Sequence, residues 1–103
     1  MLGKYLGPYR MPFQEAMTEW CCGFGWGDES LDPKTRSLMN LSMIAALGKM
    51  QEWELHLNGA INNGVTTPEI RAAIHTIAIY CGVPQGVECF RIARKVLEEH
   101  GML

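Results

Sequence analysis

The sequence predicts an all-α fold, a compact antiparallel bundle of about five helices that assembles with copies of itself. Three observations carry this. Apolar residues recur at intervals of three and four, Pro and Gly stand at the ends of the apolar segments, and the connections are only a few residues long, which favours antiparallel neighbours. No stretch shows the alternation of a half-buried strand. A length of 103 residues leaves room for one core, so residues 1–103 are expected to form a single domain.

The first helix is expected from about Met11 to Cys22, with Phe13, Met17 and Trp20 as its apolar stripe. It runs into Gly23-Phe24-Gly25-Trp26-Gly27, where glycines permit backbone angles that other residues resist. Asp32 and Pro33 read as the cap and first turn of a second helix, from about Pro33 to Leu47. Leu38, Met39, Leu41, Met43, Ile44 and Leu47 make that helix apolar nearly all round. Gly48 breaks the chain before a third helix, from about Lys49 to Asn63, which stops at Asn63-Gly64. Thr67 and Pro68 cap a fourth, with Glu69 near its positive end and Ile70, Ile74, Ile77, Ala78 and Cys81 facing inward; the neighbours of Tyr80 place it in the core as well. Gly82-Val83-Pro84 separates it from a fifth, from Pro84 to about Glu99, expected to pack Val87, Phe90, Ala93 and Leu97.

Composition excludes several classes of function. Hydrophobic residues make up 48% and charged residues 19%, and the nine Lys and Arg are scattered, with a net charge of -2. Nucleic acid and anionic membranes select a concentrated basic surface, so neither is an expected partner. No apolar run is long enough to span a bilayer, and Met1-Leu2-Gly3-Lys4-Tyr5 has no signal-peptide apolar core, so a cytoplasmic location is expected. The four cysteines, Cys21, Cys22, Cys81 and Cys89, contain no Cys-x-x-Cys pair and no histidine at zinc spacing. Buried thiols and the absence of a metal site are expected, and the glycine-rich turn matches no phosphate-binding pattern.

Chemistry concentrates at Glu52 and His56. Four residues apart on one helix, they share a face, and a carboxylate beside an imidazole orients it and favours its protonated form. A solvated surface pair has the same spacing. His75 reads as a boundary or interface residue and His100 as solvated. Trp20, Phe24 and Trp26 surround the glycine-rich turn, where they either wall a small-molecule pocket or fill a loop against the core.

Three stretches together resemble the carboxymuconolactone decarboxylase family, within the alkylhydroperoxidase D-like superfamily. They are Leu31-Asp32-Pro33-Lys34-Thr35-Arg36-Ser37-Leu38, then Glu52 with Leu55-His56-Leu57 and Ala60-Ile61-Asn62-Asn63-Gly64-Val65-Thr66, and then Ala78-Ile79-Tyr80-Cys81-Gly82-Val83-Pro84. Order and spacing are kept over about residues 13 to 98. The resemblance implies an all-α subunit assembling into trimers or hexamers, and a cofactor-free decarboxylation of a small lactone or keto acid in aromatic-compound catabolism. It makes His56 the proton donor or oxyanion stabiliser and Glu52 its orienting partner; Trp26, Phe24 and Arg36 are this chain's substrate-binding candidates, although Phe24 stands where the family usually has glutamate.

The departures bear on the substrate. Positions where the family often carries arginine hold Asp28 and Asn58, and Arg91 replaces a frequent histidine. Since a bidentate arginine is the natural clamp for a carboxylate, the clamp of the namesake reaction is altered. Two other readings remain open at this stage: a thiol peroxidase of the hydroperoxidase type, whose usual cysteine positions are Lys49 and Glu52 here, and a non-catalytic small-molecule-binding oligomer.

Overall fold

The computed structural model describes residues 7–103, with side chains from Met11 onward. The opening Met1 to Tyr5, expected to lack a signal core, lies outside the described residues. The chain divides into two compact units, one through Asp32 and one from Pro33 to Leu103. Among the described residues the elements are helical throughout, as the sequence predicts.

In the N-terminal unit, α1 (Gly7–Thr18) continues into a π-helical segment, Glu19–Gly25. The expected helix therefore does not stop at Cys22. The wider coil ends with the Trp26 amide donating to the Cys21 carbonyl at 2.7 Å, a five-residue step. The glycines serve this coil sterically and not through unusual backbone angles, for none of Gly23, Gly25 and Gly27 has positive φ. A Cβ at Gly27 would collide with the Gly23 carbonyl oxygen. Phe13 and Trp20, expected to lie on a buried stripe, are exposed, and Met17 is half-buried.

In the larger unit, α2 (Pro33–Leu47), α3 (Met50–Asn62), α4 (Thr67–Cys81) and α5 (Val83–Glu99) form a closed circuit. Helix α2 packs on α3, α3 on α5, α5 on α4, and α4 on α2. Each contributes one stripe at helical spacing to a shared core. Leu41 and Ala45 come from α2, Trp53, Leu57 and Ala60 from α3, Ile70, Ile74 and Ile77 from α4, and Cys89, Ile92, Ala93, Val96 and Leu97 from α5.

Two helix ends show how the sequence sets the boundaries. After α2 the Lys49 amide reaches back to the Ile44 carbonyl and the Gly48 amide to Ala45, with Gly48 at φ +71°; after α3 the Val65 and Gly64 amides do the same to Ala60 and Ile61, with Gly64 at φ +92°. This left-handed closure satisfies carbonyls that would otherwise be orphaned and favours glycine. At the start of α4 the capping residue is Thr66, one before the expected Thr67. The reason is that the carboxylate of Glu69 must sit three residues on: Thr66 Oγ1 accepts from the Glu69 amide at 3.3 Å, and the Thr66 amide donates to Glu69 Oε1 at 2.9 Å. That amide, and then Lys34 at 3.0 Å, hold the Glu69 carboxyl below the usual carboxylate range.

The structure corrects several inward assignments. Tyr80 is 84% exposed, and Cys81, Val87 and Phe90 are exposed too. The stripe of α5 that meets the core instead runs through Gly86, Cys89, Ile92, Ala93, Val96 and Leu97. The close α4–α5 crossing selects it: a Cβ at Gly86 would lie 2.5 Å from the Ala78 Cβ, so only glycine allows this approach. No helix among the described residues is long and apolar enough to cross a membrane.

Candidate active site

Helix α3 turns Trp53, Leu57 and Ala60 into the core, which leaves Glu52 and His56 on its flank toward α2. His56 Nε2 lies 3.4 Å from Glu52 Oε2, with the two side chains 40% and 56% exposed. The imidazole's other nitrogen is engaged across the helix interface, where Asn40 Nδ2 of α2 meets His56 Nδ1 at 3.0 Å. Sequence reasoning missed Asn40. The available signal was a lone amide between Met39 and Leu41 in an otherwise apolar run.

The same α2–α3 seam carries a second polar pair. Asn63 Nδ2 donates to Ser37 Oγ at 2.9 Å, and Ser37 is the buried polar residue of the larger unit, at 4% exposure. Between these pairs sits Gly59, where a Cβ would meet nothing within 4 Å. The seam therefore has an imidazole with a neighbour at each nitrogen, an amide–hydroxyl pair further along, and open space over a glycine between them. Such a surface can orient a small polar ligand and direct hydrogen bonds at it.

Arg36 is half-buried on α2, one turn before Asn40. Phe24 and Trp26 belong to the N-terminal unit, within and at the end of its π-helical segment, exposed at 77% and 40%. The seam itself is composed of α2 and α3 residues. Of the other histidines, His75 is exposed on α4, and His100 is exposed but meets Asn58 Oδ1 at 2.6 Å, a partner that the solvated reading lacked. An apolar groove of about 260 Å³ between α4 and α5, lined by Ile70, Ile74, Phe90 and Leu97 with Arg71 and Arg94, contains neither Glu52 nor His56.

All four cysteines are free thiols. Cys21, Cys22 and Cys81 are exposed where buried thiols were expected, and only Cys89 is buried. Burial pushes the Cys89 thiol up to about 11, with Cys81 and Glu88 adding to the rise, which disfavours the nucleophilic thiolate. Among the described residues no three His, Cys, Asp or Glu side chains are grouped as metal ligands would be.

Residues 12–95, most of the chain and the whole of the α2–α3 seam, match the carboxymuconolactone decarboxylase family. The chain belongs to that family. Among named members, the nitrosuccinic acid decarboxylase npaB of Metarhizium robertsii is 42% identical over 92 residues, which cover 89% of this chain and 64% of that protein. The 4-carboxymuconolactone decarboxylase of Acinetobacter baylyi is 30% identical over 97 residues, covering 94% of this chain and 72% of that enzyme. The chain thus spans about two thirds of the length of these carboxymuconolactone decarboxylase family relatives.

Proposed function

We propose that the protein is a cofactor-independent decarboxylase of small organic acids in which the departing carboxylate can push its electrons into a lactone carbonyl, a ketone or a nitro group. The observation that carries this reading is His56, held between Asn40 and Glu52 at an open seam of a carboxymuconolactone decarboxylase family chain. The two named relatives support it through a common chemistry. Their names point to a nitro acid and a lactone acid, and heterolytic loss of carbon dioxide from either would bring the electron pair to rest on oxygen. Hydrogen-bond donors fixed at that oxygen stabilise the anion before carbon takes up a proton. For a nitro acid the carboxyl C–C bond breaks, the pair forms the nitronate, and one proton from solvent completes the product.

Nitrosuccinate and 4-carboxymuconolactone, followed by carbon dioxide release, test the reading together with a panel of β-keto acids. Turnover of at least one, lost in the His56→Gln variant, is the expected result. No release from any of them, under conditions where the Acinetobacter enzyme turns over its own substrate, would overturn it.

Assembly as a homo-oligomer, trimer or hexamer, is part of the same proposal, with α2 and α3 at the interfaces and His56 near a subunit boundary. What supports it is the amount of apolar surface left in water. Met39, Met43 and Leu47 on α2 and Leu55 on α3 are exposed, as are Ile79, Tyr80, Val83, Val87 and Phe90 around the α4–α5 corner. Leaving even ~400 Å² of apolar area in water forfeits about 10 kcal/mol, comparable with the whole stability of a small domain. Light scattering at micromolar concentration should give the mass of a closed oligomer, and a stable folded monomer would defeat this part of the proposal.

A further inference from the structure

The imidazole of His56 is held from two helices, and which partner donates decides what the ring can do. We infer that Asn40 is a positioning residue that fixes His56 as the neutral Nε2–H tautomer, so that the ring acts as hydrogen-bond donor to the developing anion and not as the acid that delivers a proton to carbon; the functional half of this inference rests on the decarboxylase reading above. The amide nitrogen of Asn40 faces Nδ1 at 3.0 Å. With the amide NH₂ turned to the ring, Asn40 donates and Nδ1 accepts, which leaves Nδ1 without a proton. The ring proton then sits on Nε2, the nitrogen that faces Glu52 at 3.4 Å.

That second contact is longer than a good N–H···O bond, so the Nε2–H is oriented by Glu52 but not saturated by it. A substrate oxygen approaching along the open seam can take the same hydrogen. A neutral imidazole gives up its proton far less readily than an imidazolium, which suits it to stabilise an oxyanion without neutralising it. The step balances without a proton from His56. The carboxyl C–C bond breaks, carbon dioxide leaves, the electron pair moves to the oxygen facing Nε2–H, and solvent water supplies the proton to carbon.

Glu52 faces the ring from α3, and Arg36 stands one turn before Asn40 on α2. Lys34 is taken by Glu69, while Lys95 and His100 engage Glu54 and Asn58, each two residues from His56 and thus on other sides of α3.

Nitrogen-15 NMR of the histidine-labelled protein, with the His56 signals assigned by their loss in His56→Gln, reads the tautomer directly and needs no substrate. The neutral ring should show the proton on Nε2 and a non-protonated Nδ1. Asn40→Asp replaces the donor with a similarly shaped acceptor, so Nδ1 should become protonated, and kcat should fall on the order of 10-fold or more with a smaller change in KM. A wild-type neutral ring protonated on Nδ1 would overturn the inference, as would an Asn40→Asp protein whose ring signals and kcat are both unchanged. If wild-type protein releases no carbon dioxide from any acid while the Nε2–H tautomer is observed, the decarboxylase reading falls and the tautomer assignment stands.

Discussion

His56→Gln is expected to lower turnover of the responsive acid on the order of 10²- to 10³-fold, with a much smaller change in KM. That range follows from removing one fixed hydrogen-bond donor from the oxygen where charge develops. The effect should appear in kcat because a donor aimed at a developing anion contributes more to the transition state than to the bound acid. Structural damage is not expected to account for the loss. The side chain is 40% exposed on the flank of α3, and the residues that hold α3 in the core, Trp53, Leu57 and Ala60, lie on another face. Steady-state kinetics alongside circular dichroism checks the claim. Turnover within a few-fold of wild type would remove His56 from the chemistry.

Trp53→Ala is expected to be the most damaging core substitution, at about 3–5 kcal/mol. Trp53 is 0% exposed, and its indole Nε1 donates to the Cys89 carbonyl at 3.2 Å, so the side chain both fills the core between α3 and α5 and links the two helices by a hydrogen bond. Truncation leaves a cavity and removes a hydrogen bond that ties α3 to α5. Small domains are stable by only ~5–15 kcal/mol, so much of the reserve would be spent. The melting temperature should fall by roughly 15–30 °C, read by circular dichroism at one fixed protein concentration because any assembly makes it concentration-dependent. Trp53→Phe keeps most of the volume and loses the hydrogen bond, and should fall between the two. A drop of only a few degrees for Trp53→Ala would show that the core does not depend on this residue.

The elements that were legible in the sequence are those made by neighbours along the chain. Helix α2 runs over the residues that Pro33 and Gly48 mark, and α3 ends where Asn63-Gly64 says it should. Glu52 and His56 meet because a spacing of four brings them together on any α-helix. The family, too, was readable from three local motifs. What was misread involved choosing one face of a helix over another. Helix α5 has apolar residues on more than one side, and periodicity alone favoured Val87 and Phe90, whereas the core took Cys89, Ile92 and Val96.

By itself, then, the sequence determined the all-α class, the ends of α2 and α3 at Gly48 and Asn63-Gly64 and the Glu52–His56 pair, since glycine closure and the three-to-four residue repeat act within a turn or two of chain. Only the tertiary structure decided that Asn40 reaches His56 across sixteen residues, that Trp53 stands at the centre of the core, and that Tyr80 points to solvent. Those outcomes depend on the register in which α2 lies on α3 and on how closely Gly86 lets α5 approach α4. Register between helices is set by the simultaneous fit of many side chains from distant segments, and no local interval in the sequence encodes it.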